Sequence, residues 1–201
     1  DTLLSYLAWH YRMLPEQPLL CPIGRLDKDT SGLILVAKNK YAAQQMERQR
    51  TLHTLSRVYL ALTEGHWTDQ PHSGLIDRPI EKIPDCFNRY RVADTGRPSS
   101  TEYEVLSEFN HENIPFSLVR LKLQTGRTHQ IRVHMASLSH PLLGDSIYGH
   151  EGFLGFDRAA LHSFEITCQL PGHQDLAVFS SEMPEDFQKV IVESQKPSSG
   201  L

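Results

Sequence analysis

Gly24-Arg25-Leu26-Asp27-Lys28-Asp29-Thr30-Ser31-Gly32, running straight into Leu33-Ile34-Leu35-Val36-Ala37, is the stretch around which the chain is organised. The apolar run predicts a buried strand of about five residues. Asp29, Thr30, Ser31 and Gly32 are turn chemistry: short side chains that bond back to the backbone, then a residue free to take a positive φ. If Arg25-Leu26-Asp27 is extended, Arg25 and Asp27 share one face and Leu26 faces inward. A carboxylate on a loop, held by a strand and flanked by a cation, is a candidate catalytic group. A surface turn with a weak ion pair is the plainer reading of the same nine residues.

On the N-terminal side, Thr2 to Tyr11 predicts a helix capped by Asp1 or Thr2, with Leu3, Leu7 and the flanking Leu4 and Tyr11 toward the core. Pro15, Pro18 and Pro22 mark a loop leading to the organising stretch. On the C-terminal side, Asn39 can cap a helix through about Arg50, and residues 56–63 alternate as a strand. Residues 64–100 form a loop-rich insertion with Pro71, Pro79, Pro84 and Pro98. Strands follow at about 101–109 and 117–124. In the second, Val119, Leu121 and Leu123 alternate with Arg120 and Lys122, which gives one wet face. Thr125-Gly126 breaks it, and Thr128 to Leu138 reads as a short helix with Ile131, Met135 and Leu138 toward the core. A strand near 159–168, a helix over about 184–194 and a loose tail at 196–201 complete the chain. Strands and helices mix without βαβ regularity, so the expected fold is α+β with a mainly antiparallel sheet flanked by helices.

Composition narrows the class. At 201 residues, with 39% apolar and 8% aromatic residues, the chain is long enough for one domain, placed at 1–195, with one substantial core. No apolar run approaches the roughly 20 residues that span a bilayer, and no signal peptide is visible. Cys21, Cys86 and Cys168 are far apart and read as reduced thiols of a cytoplasmic protein. The net charge of −4 speaks mildly against a nucleic-acid binder, but residues 120–134 carry four cations (Arg120, Lys122, Arg127, Arg132) and no acid, leaving −8 for the rest. Such a basic stripe on an acidic body can steer RNA into one groove.

Four segments stand in one order: Arg25-Leu26-Asp27-x-x-Thr30-Ser31-Gly32; Arg57-Val58-Tyr59-Leu60-Ala61; Gly126-Arg127-Thr128-His129-Gln130-Ile131-Arg132-Val133-His134; and Gly144-Asp145-x-x-Tyr148-Gly149. Together they resemble the RluA-type family of RNA pseudouridine synthases, from about residue 1 to about 187. Gly74-Leu75-Ile76-Asp77-Arg78-Pro79-Ile80 and Gly96-Arg97-Pro98 add to the likeness. A sister family of small-subunit-type synthases shares Gly-Arg-Leu-Asp, so the third segment selects the subfamily. Typical members carry His where this chain has Gly24. They also have a strand and loop before the first helix, so an N-terminal strand is expected to be missing from this chain.

The resemblance implies the pseudouridine synthase fold with a central RNA-binding cleft. It implies an isomerase that detaches uracil at N1, turns it and rejoins it to C1′ through C5, in structured ribosomal or transfer RNA, with no obligate protein partner. That chemistry involves no redox step and imports no group, so no cofactor is expected. It needs a carboxylate beside the sugar or base, and Asp27 is the candidate. The resemblance assigns Asp27 an arginine partner in the basic segment, Arg127 first and Arg132 second. Tyr59 would stack on the uracil and relay the C5 proton through its hydroxyl. Taken alone, a tyrosine in an alternating strand is most often a packing residue. Arg25 would hold RNA backbone or fill the space of a flipped base. Arg120, Lys122, His129 and Arg132 complete the expected RNA-binding set. His129 and His134 are five apart with no acidic ligand beside them, so no metal site is expected. Asp145 and Tyr148 would support a local turn.

Two other classes compete. One is an RNA-binding module of the same fold without catalysis. The other is a glycosidase using Asp27 and Asp29, but residues two apart cannot readily straddle a sugar with carboxyls about 5 to 9.5 Å apart on opposite faces.

Overall fold

The computed structural model describes residues 2–13, 15 and 17–196. The tail expected at 196–201 therefore lies, from 197 onward, outside the described residues, as does Asp1.

Helix α1 (Leu3–Tyr11) is followed by three short strands, β1 (Cys21–Ile23), β2 (Ser31–Gly32) and β3 (Leu35–Ala37), and by helix α2 (Lys40–Thr51). Next come β4 (Ser56–Glu64), β5 (Ser73–Asp77), β6 (Ile80–Lys82), β7 (Tyr90–Val92), β8 (Ser100–His111) and β9 (Ile114–Leu123). Helix α3 (Gln130–Ser137), β10 (Leu161–Gln169), β11 (Leu176–Ser180) and helix α4 (Glu185–Ser194) complete the order. The main sheet runs β11-β10-β4-β9-β8-β5, antiparallel throughout, and β2 joins it in parallel beside the start of β10. This is the α+β, mainly antiparallel architecture expected from the sequence. The β8–β9 hairpin turns at Glu112 and Asn113, both at positive φ, matching the twist of the strands they join.

β4 is the central strand, buried at every position from Val58 to Thr63 because both faces of the sheet are covered. Tyr59 and Ala61 point to one face and pack with Val119, Leu121, Ile131, Met135 and Leu161 under α3. Leu60 and Leu62 point to the other, where Phe116, Leu118, Phe187 and Val190 join them under α4. A third cluster seats α2: Met46 packs with Ile23, Ala37, Leu55, Ile166 and Cys168. Burying each such side chain contributes about 1.5–3 kcal/mol.

Three expectations need correction. The predicted strand 33–37 forms only at Leu35–Ala37, and a separate short strand precedes it. Ser31–Gly32 pairs with β10, whereas Leu35–Ala37 pairs with β1 in a separate two-stranded sheet, so the backbone has to break between them. Helix α1 forms and is capped by Thr2, whose hydroxyl accepts from the Ser5 N–H, but it buries no residue. Leu3 is 46% exposed, and Leu7 and Tyr11 are only half-buried. The insertion at 64–100 is not all loop: β5 extends the main sheet, and β6 pairs with β7 as a separate ribbon.

Candidate active site

Two elements bring the organising stretch to the sheet. The Thr30 N–H donates to the Asp27 carbonyl at 3.1 Å, closing a turn, and Arg158 Nη1 donates to the Asp29 carbonyl at 3.2 Å. The Asp29 carboxylate makes no hydrogen bond among the described residues, so the turn is closed by backbone and by Arg158, not by the Asp29 side chain as expected. Ser31 Oγ lies 2.8 Å from His162 Nδ1. Gly32, at φ +96°, lies so close to the Ser163 backbone that a Cβ would come within 2.2 Å of its carbonyl oxygen. Only glycine fits there. On its other side Ser163 pairs with Tyr59 of β4, so β10 fixes the Asp27 loop against the strand that carries Tyr59.

The result is a cleft of about 370 Å³ on the α3 face of the sheet. Arg25, Asp27 and Thr30 line it from the first loop, Arg57 and Tyr59 from β4, and Gly126, Arg127 and Gln130 from the turn into α3. Glu47 and Arg50 of α2 stand on the same cleft, paired with each other at 2.6 Å. The Asp27 carboxylate takes part in no ion pair or side-chain hydrogen bond among the described residues. Arg25 and Arg57 likewise enter no ion pair there.

Tyr59 is 4% exposed. Burial pushes its phenol up; the Arg57 cation and the Ser163 hydroxyl oppose this, and the Asp27 charge adds to it. Asp27 and Tyr59 therefore act on each other electrostatically within one cleft. Arg127 stands at the rim, exposed, with Nε donating to the Pro98 carbonyl at 3.2 Å. Gln130 builds the turn that presents it: Oε1 accepts from Thr125 Oγ1 and the Arg127 N–H, and Nε2 donates to the Ser100 carbonyl and Thr101 Oγ1.

Arg132 is neither a phosphate contact nor a solvated helix residue. It is buried, and its Nε and Nη2 donate to the two oxygens of Asp145 at 2.7 and 2.6 Å. Its guanidinium also lies 5.2 Å from the centre of the Tyr148 ring. Burial disfavours its charge, but the Asp145 hydrogen bonds and charge outweigh this and raise its pKa, with the Asp27 charge adding to them. Arg132 does not line the cleft but feels the Asp27 charge from inside the protein, and neither it nor Arg127, the two partners expected for Asp27, is ion-paired with that carboxylate among the described residues. Asp145, fully buried, also accepts from the Ile147 and Tyr148 N–H groups, so the expected turn support is present along with an ion pair that was not expected.

His129 sits at φ +55°, 4% exposed, with Nδ1 2.9 Å from the Tyr148 hydroxyl. Burial lowers its pKa, opposed by the Asp27 charge. Its place is inside this network, not on an open RNA surface. His134 is buried between Thr101 Oγ1 and the Arg78 carbonyl, each at 2.9 Å. No group of three or more His, Cys, Asp or Glu converges as metal ligands among the described residues.

The basic stripe is divided. Arg120 and Lys122 alternate with Val119 and Leu121, and since the latter face the α3 side, the former face away from the cleft. There they stand 3.9 Å from Glu104 and 3.8 Å from Glu102 across the β8–β9 pair. Arg57, Gln130 and Ser163, and the ion pair made by Asp145, escaped the sequence reading. Of these, only Arg57 had a local signal, its position two residues before Tyr59 on the same strand face.

No helix among the described residues is long and apolar enough to cross a membrane. The uncharacterized RNA pseudouridine synthase YhcT of Bacillus subtilis is 38% identical over 189 residues, covering 94% of this chain and 61% of that protein. The ribosomal large subunit pseudouridine synthase D of Escherichia coli is 34% identical over 212 residues, covering 94% of this chain and 63% of that protein. The chain thus spans about three-fifths of the length of these relatives. The solved structure of human RNA pseudouridylate synthase domain containing 1 superposes with a TM-score of 0.75 at 29% identity, over 90% of this chain and 74% of that one. The sequence pattern of the RNA pseudouridylate synthase family matches residues 10–137, more than half of the chain, and with the fold and the cleft around Asp27 it follows that this chain belongs to that family.

Proposed function

We propose that the protein isomerises a uridine to pseudouridine within RNA of the large ribosomal subunit, in the cytoplasm, with Asp27 as the catalytic carboxylate. The observation that carries this is the convergence of Asp27, Tyr59, Arg25 and Arg127 on one cleft. The names of the relatives favour ribosomal over transfer RNA.

Each group has a task suited to its place. Asp27 carries an uncompensated negative charge on a fixed loop, available to attack or to stabilise positive charge at C1′ as N1 departs. Arg132, anchored by Asp145, supplies an opposite charge whose position does not depend on the substrate. Arg25 and Arg127, exposed at the rim, contact RNA phosphates and help hold an extruded nucleotide, whose unstacking costs a few kcal/mol. Tyr59 relays the proton that C5 loses once it has joined C1′. The reaction balances without a co-reactant, because N1 gains one proton as C5 loses one.

The test uses RNA from cells in which the encoding gene is deleted. Incubation with the protein should create pseudouridine at a discrete position of large-subunit RNA, read by chemical labelling and primer extension. RNA that is bound but never converted would support the rival, a binding module without catalysis. Released free uracil would make it a glycosidase.

A further inference from the structure

Arg57 follows a path that two glycines leave open. A Cβ on Gly24 would lie 3.1 Å from its Nη1, and one on Gly126 would lie 2.9 Å from its Nη2. The two glycines belong to different loops of the cleft, one leading to Asp27 and the other to Arg127. A Cβ at position 126 would make the guanidinium shift, whereas one at position 24 would crowd it by only a few tenths of an ångström, and Gly24 is held to glycine by its own φ of +80°. Arg57 takes part in no ion pair among the described residues, so no carboxylate accounts for where it is held.

Beside Tyr59 stands Ser163, its cross-strand partner on β10. Ser163 is 1% exposed, and among the described residues its Oγ meets no hydrogen-bond partner at bonding geometry. A buried hydroxyl left unpaired costs about 1–3 kcal/mol, which calls for a reason. Its nearness to the Tyr59 hydroxyl supplies one, since a phenolate there could accept from it.

We propose that Arg57 and Ser163 are positioning residues that offer the Tyr59 oxygen two donors as it relays the C5 proton, and that position 126 is glycine so that Arg57 can pass beside it. This rests on the isomerase reading above. During the relay Oη carries negative charge for part of the cycle, which its buried setting penalises. A guanidinium can only donate hydrogen bonds, so it stabilises that charge without competing for the proton. Ser163 Oγ, a second donor with no other partner, does the same.

The test is single-turnover conversion of large-subunit ribosomal RNA, followed against pH, with RNA affinity measured in parallel. Arg57→Gln should slow the step by at least about tenfold, a part of what acid–base catalysis supplies, and move the rising limb of the rate profile to higher pH. RNA affinity should stay within about twofold, since RNA phosphates are held by other residues. Arg57→Lys should recover part of the rate. Gly126→Ala, where the backbone is not at positive φ and the only close neighbour is the flexible end of Arg57, should reproduce the loss in a folded protein. It should add nothing in an Arg57→Gln background. Combined with Tyr59→Phe, Arg57→Gln should have no further effect. Multiplicative losses in that double variant would overturn the proposal. So would Arg57→Gln that weakens binding and flattens its salt dependence at an unchanged rate, since Arg57 would then be a phosphate contact. A wild-type protein that converts no uridine would instead refute the isomerase reading, and this inference with it.

Discussion

Asp145→Asn is the sharpest test of how the site is built. Asp145 is fully buried and accepts four hydrogen bonds: two from Arg132 and one each from the Ile147 and Tyr148 N–H groups. Asparagine keeps one acceptor oxygen, enough for the turn, but sets an NH₂ against the donor face of Arg132. The Arg132 side chain is only 11% exposed, so its charge cannot turn to water for compensation. Removing one partner of such a pair costs about 3–5 kcal/mol. For a chain of this size each kcal/mol lowers Tm by about 2–4 °C, so a fall of roughly 6–20 °C is expected by calorimetry or circular dichroism. Arg132→Met in the same protein should restore much of the loss, since no charge is then stranded. Activity should not return, because the buried positive charge beside the cleft is gone. A Tm within about 2 °C of wild type for Asp145→Asn would show that the buried pair does not organise this region.

Two further outcomes follow from the geometry. Arg25→Gln and Arg127→Gln should each flatten the salt dependence of RNA affinity by about one phosphate's worth, whereas Arg120→Gln and Lys122→Gln, on the other face of the sheet, should leave it unchanged; filter binding across a salt series distinguishes the two groups. His129, His134 and His162 are each pushed down by burial, so the unfolded chain binds more protons than the folded one below about pH 6.5. Stability should therefore fall as pH drops from about 7 toward 5, and His134→Gln should make that fall shallower; a Tm independent of pH over this range would contradict it.

The sequence was legible where information is local. Asp27, Arg25, Tyr59 and Arg127 were picked from short segments, and the structure places all four on one cleft. The caps at Thr2 and Asn39 and the extent of α2 followed from residue types within one turn of each end. What escaped depends on partners distant in the chain. Alternation placed Arg120 and Lys122 on one face of β9 but could not say which face holds the cleft, because that depends on whether α3 or α4 covers it. Arg132 read as a partner of Asp27 or an RNA contact, since the carboxylate it pairs with, Asp145, lies beyond the end of its own helix. Ser163 had no signal at all: its place beside Tyr59 exists only through the β4–β10 register. The strand expected at 33–37 was shortened for the same reason, since the Leu33 N–H donates to the Ser163 carbonyl of the main sheet while Leu35–Ala37 pairs with β1 in another.

The central claim is that the Asp27 charge performs the chemistry, and Asp27→Asn tests it most directly. The substitution keeps size and shape, and no hydrogen bond or ion pair of the Asp27 side chain among the described residues is lost with the charge. RNA affinity and Tm should therefore stay near wild type. Single-turnover formation of pseudouridine should fall by at least about a hundredfold to ten-thousandfold, the scale of a lost catalytic carboxylate. Asp29→Asn, whose carboxylate holds nothing in the turn, should retain most of the rate. Near-parental conversion by Asp27→Asn would contradict the account.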